Sequence, residues 1–223
     1  MSGKSNLMAD PIFPKWIDRL RPLAGVLLAV VPLYLVGMAY YAGSPETTDV
    51  GYSPVQPIAY SHALHVGEMG MDCRFCHTTV ESAAFAAIPP TETCMTCHKN
   101  VAAESDKLPL LRASWADEKP IHWVKVHDLP DYVYFDHSAH VTRGIGCVSC
   151  HGRIDRMEQV AQVERLSMGW CLECHRNPEQ HLRPQEFVTA MDWKPIEPQE
   201  VLGKRLREKN NINPSTDCST CHR

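Results

Sequence analysis

Cys147-Val148-Ser149-Cys150-His151 constrains this chain more than any other stretch, because its C-x-x-C-H spacing recurs four more times and accounts for all ten cysteines. The other copies run Cys73 to His77, Cys94 to His98, Cys171 to His175 and Cys218 to His222. Two thiols on one short turn reach the two vinyl groups of a single porphyrin, and the adjacent imidazole then lies under the ring as an iron ligand. A zinc ribbon would pair the C-x-x-C units and gives no reason for a histidine after each. The reading is five covalent haems c, numbered here in chain order. They are held by Cys73 and Cys76, Cys94 and Cys97, Cys147 and Cys150, Cys171 and Cys174, and Cys218 and Cys221, with His77, His98, His151, His175 and His222 as proximal ligands.

An electron-transfer haem of the low-spin kind needs a second axial ligand. Of the twelve histidines, His62, His65, His122, His127, His137, His140 and His181 remain for that role. Tyr60-Ser61-His62-Ala63-Leu64-His65-Val66 matches Phe135-Asp136-His137-Ser138-Ala139-His140-Val141 almost position for position, and each precedes a haem motif. Histidines three apart share one face of a helical turn. His62, His65, His137 and His140 are therefore expected as distal ligands, with His127 leading for the fifth position. Methionine also ligates haem iron and raises its potential, so Met157 and Met168 stand in reserve. Met69, Met71 and Met95 read as packing.

The repeat suggests an internal duplication. Its expected layout is a first haem module with connector at 60–120 (haems 1 and 2) and a second at 121–223 (haems 3 to 5). Seventeen prolines against twelve glycines suit a chain of turns. The expected fold is a class III-like multihaem cytochrome c: mostly coil with short α-helices wrapped round a haem stack, plus one N-terminal transmembrane helix. Ala83 to Ala87 reads as a run of small residues letting backbone approach a porphyrin, or as one short helix. Residues 99–120 read as a charged connector, and 176–217 as an insertion poor in apolar positions. Within that insertion a helix is expected over 199–209, its Lys204, Arg205, Arg207 and Lys209 forming a solvated face. No basic stripe points to nucleic acid.

Residues 22–43 carry no charge and match the length of a bilayer-spanning helix. Lys15, Arg19 and Arg21 precede the run and Glu46 and Asp49 follow it. The positive-inside rule then puts residues 1–21 in the cytoplasm and the haem domain, after a 44–59 linker, on the periplasmic side of a bacterial inner membrane. An uncleaved anchor is expected over a signal peptide, since the apolar stretch is long and no A-x-A site follows.

Several stretches carry a more specific likeness. They are Gln56-Pro57-Ile58 through Ser61-His62 to His77, Ala87-Ile88-Pro89, His127-Asp128-Leu129-Pro130-Asp131 into His137, and Leu166-Ser167-Met168-Gly169-Trp170-Cys171. In these the chain resembles the pentahaem cytochrome c subunit of alternative complex III and, more distantly, the class III cytochromes. The first resemblance implies a quinol-oxidising respiratory complex that passes electrons to a cytochrome c or a terminal oxidase. Its implied partners are an iron–sulfur protein, a polytopic quinol-binding subunit and a monohaem cytochrome c. The second implies that the first histidine of each pair serves the haem whose motif follows, and the second a neighbouring haem. Two other functions compete: a small-anchor quinol dehydrogenase acting alone, and a multihaem reductase with one open iron. No motif departs from C-x-x-C-H, so none is marked as catalytic, and the leading reading is a relay with no catalytic residue.

Overall fold

The computed structural model describes Pro14, residues 16–44 and residues 49–222. Lys15, Glu46 and Arg223, and most of the expected cytoplasmic tail, lie outside the described residues. The chain divides into two compact units, Met1–Thr47 and Thr48–Arg223.

Among the described residues the first unit is one helix, α1 (Ile17–Ala42), whose side chains are all unburied. It begins before the apolar run because Asp18 favours the positive helix start and pairs with Arg21 at 3.2 Å. Pro22 and Pro32 both lie inside it. At 1.5 Å per residue it is about 39 Å long, enough to cross a bilayer. A helix of this length and composition serves as a membrane anchor or as a signal sequence.

The second unit is built from short helices. Four of them precede or carry the first three motifs: α2 (Cys73–Cys76), α3 (Thr91–His98), α4 (Pro109–Ala116) and α5 (His137–Val141). The rest are α6 (Val148–His151), α7 (Met168–Arg176), α8 (Gln199–Lys209) and α9 (Cys218–Cys221). A π-helical turn spans Ala63–Glu68, and 3-10 turns span Ile154–Arg156, Pro178–Gln180 and Gln185–Phe187. Among the described residues there is no strand, only two isolated antiparallel bridges, Val133 with His222 and Ile145 with Leu182. Local chemistry starts several helices. Asp72 caps α2 through the Arg74 N–H at 2.8 Å, Asp136 caps α5 through Ala139, and Ser167 caps α7 through Trp170.

Three stretches depart from expectation. Residues 176–217 are not a polar insertion: Leu182, Leu202, Leu206 and Ile212 form a buried cluster, with Ile145 and Trp193 packed on it. Four apolar residues spread over 31 positions leave no periodic signal, yet α8 and the Pro178–Gln180 turn bring them together. On α8 only part of the basic face is solvated, because Arg207 pairs with Glu179 at 2.5 Å and Arg205 pairs with Glu197. The connector carries α4, with Pro109 at its first position, where a missing N–H costs nothing. Ala83 to Ala87 does not form the short helix: residues 83–85 are bends, and Ala86 and Ala87 have no regular structure.

Part of the expected linker is pinned down. Gly51 and Ser53 bond to the Gln162 and Val160 carbonyls at 2.8 and 3.0 Å. Gln56 exchanges two hydrogen bonds with the Val124 backbone at 2.8 and 3.0 Å.

Candidate haem-binding centres

The two histidine pairs sit in matching surroundings. Tyr60 meets His62 edge-on at 4.8 Å and stacks on His65 at 4.4 Å. Phe135 meets His137 edge-on at 4.8 Å and lies over His140 at 4.5 Å. One aromatic wedge thus orients each pair, which extends the sequence repeat into three dimensions.

Hydrogen bonding then sets which ring nitrogen is available. His77, His98, His175 and His222 direct Nδ1 at the carbonyls of Ala87, Val101, Ser215 and Tyr132, at 2.9, 3.0, 2.7 and 3.2 Å. His65, His137 and His140 direct Nδ1 at Ser61, Ala84 and Asp136, at 2.8, 2.8 and 2.7 Å. A carbonyl only accepts, so Nδ1 must carry the proton in each case, and the Nε2 lone pair is left for a metal.

Ring geometry supplies the fit test for haem. Two imidazoles on opposite sides of one iron, each nitrogen about 2 Å away, place their centroids roughly 6 Å apart. His137 and His151 are 6.5 Å apart with rings 12° from parallel. His65 and His98 are 6.2 Å apart, and His140 and His175 are 6.0 Å apart. The residues present fit haems 2, 3 and 4 as paired-imidazole sites. Leu64, Met69, Phe75, Phe85, Ile88 and Met168 flank the motifs and are 44–81% exposed on the polypeptide, as residues that pack on porphyrin would be.

His62 and His151 belong to one buried imidazole cluster. Burial, then the neighbouring His77 and His65, push His62 down to about 4. Burial, then His127, His137, His77 and His62, push His151 down to about 3. Both are held neutral, the form that binds metal. Buried His62 Nδ1 has no hydrogen-bond partner.

His127 stands differently. It meets His151 edge-to-face at 4.4 Å, too close for the two to oppose one another across an iron. Its Nε2 is buried and unpartnered. Met157 is half-buried, its carbonyl taking the Ala63 N–H beside His62, while Met168 is 67% exposed at the start of α7. His122 lines a mainly apolar cleft with Pro57, Leu110 and Ile121. Sequence reasoning missed the carbonyls of Ala83, Ala84 and Met157 that position the histidine-bearing turns, since any residue supplies a carbonyl.

The attachment motifs and facing imidazoles define a multihaem c-type cytochrome, and comparison with known proteins agrees over the C-terminal part. Residues 133–223 match the family described as cytochrome c7 and related cytochrome c, to which this part of the chain is similar. Over 97 residues the chain is 36% identical to the menaquinone reductase, multiheme cytochrome c subunit, of Nitratidesulfovibrio vulgaris. That alignment covers 43% of this chain and 45% of the relative, so the chain spans just under half the length of the curated protein it matches.

Proposed function

We propose that this chain is a membrane-anchored, five-haem electron relay belonging to a quinone-linked respiratory complex of the alternative complex III kind. The observation that carries the reading is the set of imidazole pairs at 6.0 to 6.5 Å, which suits iron closed on both faces. When bound, haem supplies one-electron exchange between ferric and ferrous iron. The protein's part would be to hold haems 1 to 4 with paired neutral imidazoles, so that coordination changes little between the two redox states. His77, His98, His151, His175 and His222 are the proximal ligands in this reading. His62, His65, His137 and His140 are distal to haems 1, 2, 3 and 4. The fifth distal position falls to His127, Met157 or Met168.

Helix α1 is the anchor, with the haem unit on the periplasmic side of the inner membrane, where c-type haem is attached. The partners are an iron–sulfur protein, a polytopic quinol-binding subunit and a monohaem cytochrome c, with a terminal oxidase as acceptor. The relative's name favours a second reading, in which the same relay runs towards a quinone instead of away from it.

The test is purification of the complex from membranes through a tag on this chain. Menaquinol or ubiquinol should reduce its haems only when a polytopic subunit co-purifies. Reduction by quinol of the isolated chain would support the stand-alone dehydrogenase instead. A five-coordinate haem that turns over nitrite or hydroxylamine would support the reductase.

A further inference from the structure

Chain order and spatial order differ across the duplicated modules. The His62/His65 turn docks on the other module as well as its own: Ala63 donates to the Met157 carbonyl at 3.0 Å, just beyond the haem 3 motif. Gly67 of that turn lies so close that a Cβ there would meet the Asp155 carbonyl oxygen at 2.3 Å. The exchange is reciprocal. His137 and Ser138, opening α5, donate to the Ala84 and Ala83 carbonyls at 3.1 and 3.2 Å, just beyond the haem 1 motif. Each histidine-bearing turn is thus seated on the segment that follows the other module's first attachment motif.

The same junction holds the two attachment helices together. Cys147 donates its N–H to Val188 at 2.9 Å, and the next residue, Thr189, donates its hydroxyl to Asp72, the cap of α2, at 2.9 Å. The Cys73 and Cys147 thiols lie close enough to perturb each other. Haems 1 and 3 therefore attach from neighbouring turns.

Outward from this junction each step has its own link. His65 faces His98 from the turn that also carries His62, which ties haem 2 to haem 1. On the other side α5 carries both His137, facing His151, and His140, facing His175, which ties haem 3 to haem 4. Beyond haem 4, His175 bonds to Ser215 at 2.7 Å, three residues before the haem 5 motif.

We infer that the five haems form one unbranched row in the spatial order 2, 1, 3, 4, 5, with haem 2 and haem 5 as its two terminals. This rests on the relay reading proposed above and adds what that reading lacks, the two points where partners exchange electrons. The duplication explains the inversion: pairing two modules face to face brings their first haems to the centre and sends their second haems outward. Haem 5, outside the duplicated pattern, extends one arm only.

The test uses the full-length holoprotein, in which an added cysteine is the only free thiol. A ruthenium photosensitiser is attached at Lys99→Cys, beside the haem 2 motif, or at Thr216→Cys, two residues before Cys218; both positions are exposed. Haems are marked one at a time by Cys97→Ala, Cys76→Ala, Cys150→Ala or Cys174→Ala. A haem held by one thioether keeps a conjugated vinyl and absorbs to the red, while its axial ligands and fold are retained. After a flash at the Lys99 label, the marked bands should be reduced in the order haem 2, 1, 3, 4. From the Thr216 label the order should reverse. Arrival at haem 3 before haem 1 from the Lys99 label, or the same order from both labels, overturns the row while leaving the relay intact. Reduction that never passes the haem next to either label overturns the relay itself.

Discussion

The imidazoles of His137 and His151 face each other 6.5 Å apart and 12° from parallel, although they stand on two helices, α5 and α6. His137 is held by its Nδ1 bond to Ala84 at 2.8 Å, which leaves its Nε2 as the nitrogen for a metal. His137→Ala should leave haem 3 covalently attached, because Cys147, Cys150 and His151 are untouched, but five-coordinate. Absorption and EPR spectra should show one high-spin haem per chain. His137→Met should restore the low-spin state and raise the potential of that one haem. An unaltered low-spin spectrum in the alanine variant would remove His137 from the ligand set.

His140 lies one turn along the same helix and faces a different partner, His175, at 6.0 Å. His140→Ala should therefore open haem 4, attached from Cys171, twenty residues beyond the end of α6, and leave haem 3 low-spin. Combining it with Cys174→Ala, which shifts the haem 4 band, identifies the haem affected. The high-spin signal should carry the shifted band; a high-spin haem without that shift would assign His140 elsewhere.

Asp72 links the first and third attachment motifs through Thr189 and responds to pH. Hydrogen bonds from the Arg74 side chain above all, and also from Thr189, hold its carboxyl at about 2 against an ordinary 3.8, with burial opposing them. A carboxyl lowered on folding stabilises the native chain fully above about 3.8, and that contribution is lost as pH falls from there towards 2. Asp72→Ala should cost about 1 kcal/mol at neutral pH, the value of a lost helix cap. Urea denaturation of the holoprotein between pH 5 and 2 should show a smaller acid-dependent loss in the variant. An identical slope in both proteins would contradict the assignment.

Gly203 sits where α8 crosses the Pro178–Gln180 turn, and a Cβ there would meet the Glu179 carbonyl oxygen at 2.1 Å. The obstacle is backbone, so Gly203→Ala must push the helix away from the turn. The expected loss is roughly 1 to 3 kcal/mol, the usual cost of overpacking. Denaturant midpoints followed by tryptophan fluorescence check it through Trp193, which packs on the same cluster. Equal midpoints would mean that α8 moves freely.

The attachment turns were legible because C-x-x-C-H has fixed residues at fixed spacing, and each copy forms a short helical turn; the α8 boundaries were legible too, from Pro198 onward. The histidine pairs were legible for the same reason, since His62/His65 and His137/His140 repeat within a repeated frame. The surroundings were not. Ala83, Ala84 and Met157 act through carbonyls, which carry no side-chain signature. The Leu182, Leu202, Leu206 and Ile212 cluster gathers residues from a loop, a helix and a second loop, so no period announces it. His127 packs edge-to-face on His151 at 4.4 Å, a contact that its own sequence surroundings gave no sign of.

The central claim is that all five motifs carry haem and all five irons serve one relay. Intact mass spectrometry of the denatured, alkylated protein, with pyridine haemochrome quantification of the same sample, tests it most directly. The account predicts five covalent haems per chain and no alkylated cysteine among the ten. A population with four or fewer haems and two or more alkylated thiols would contradict it.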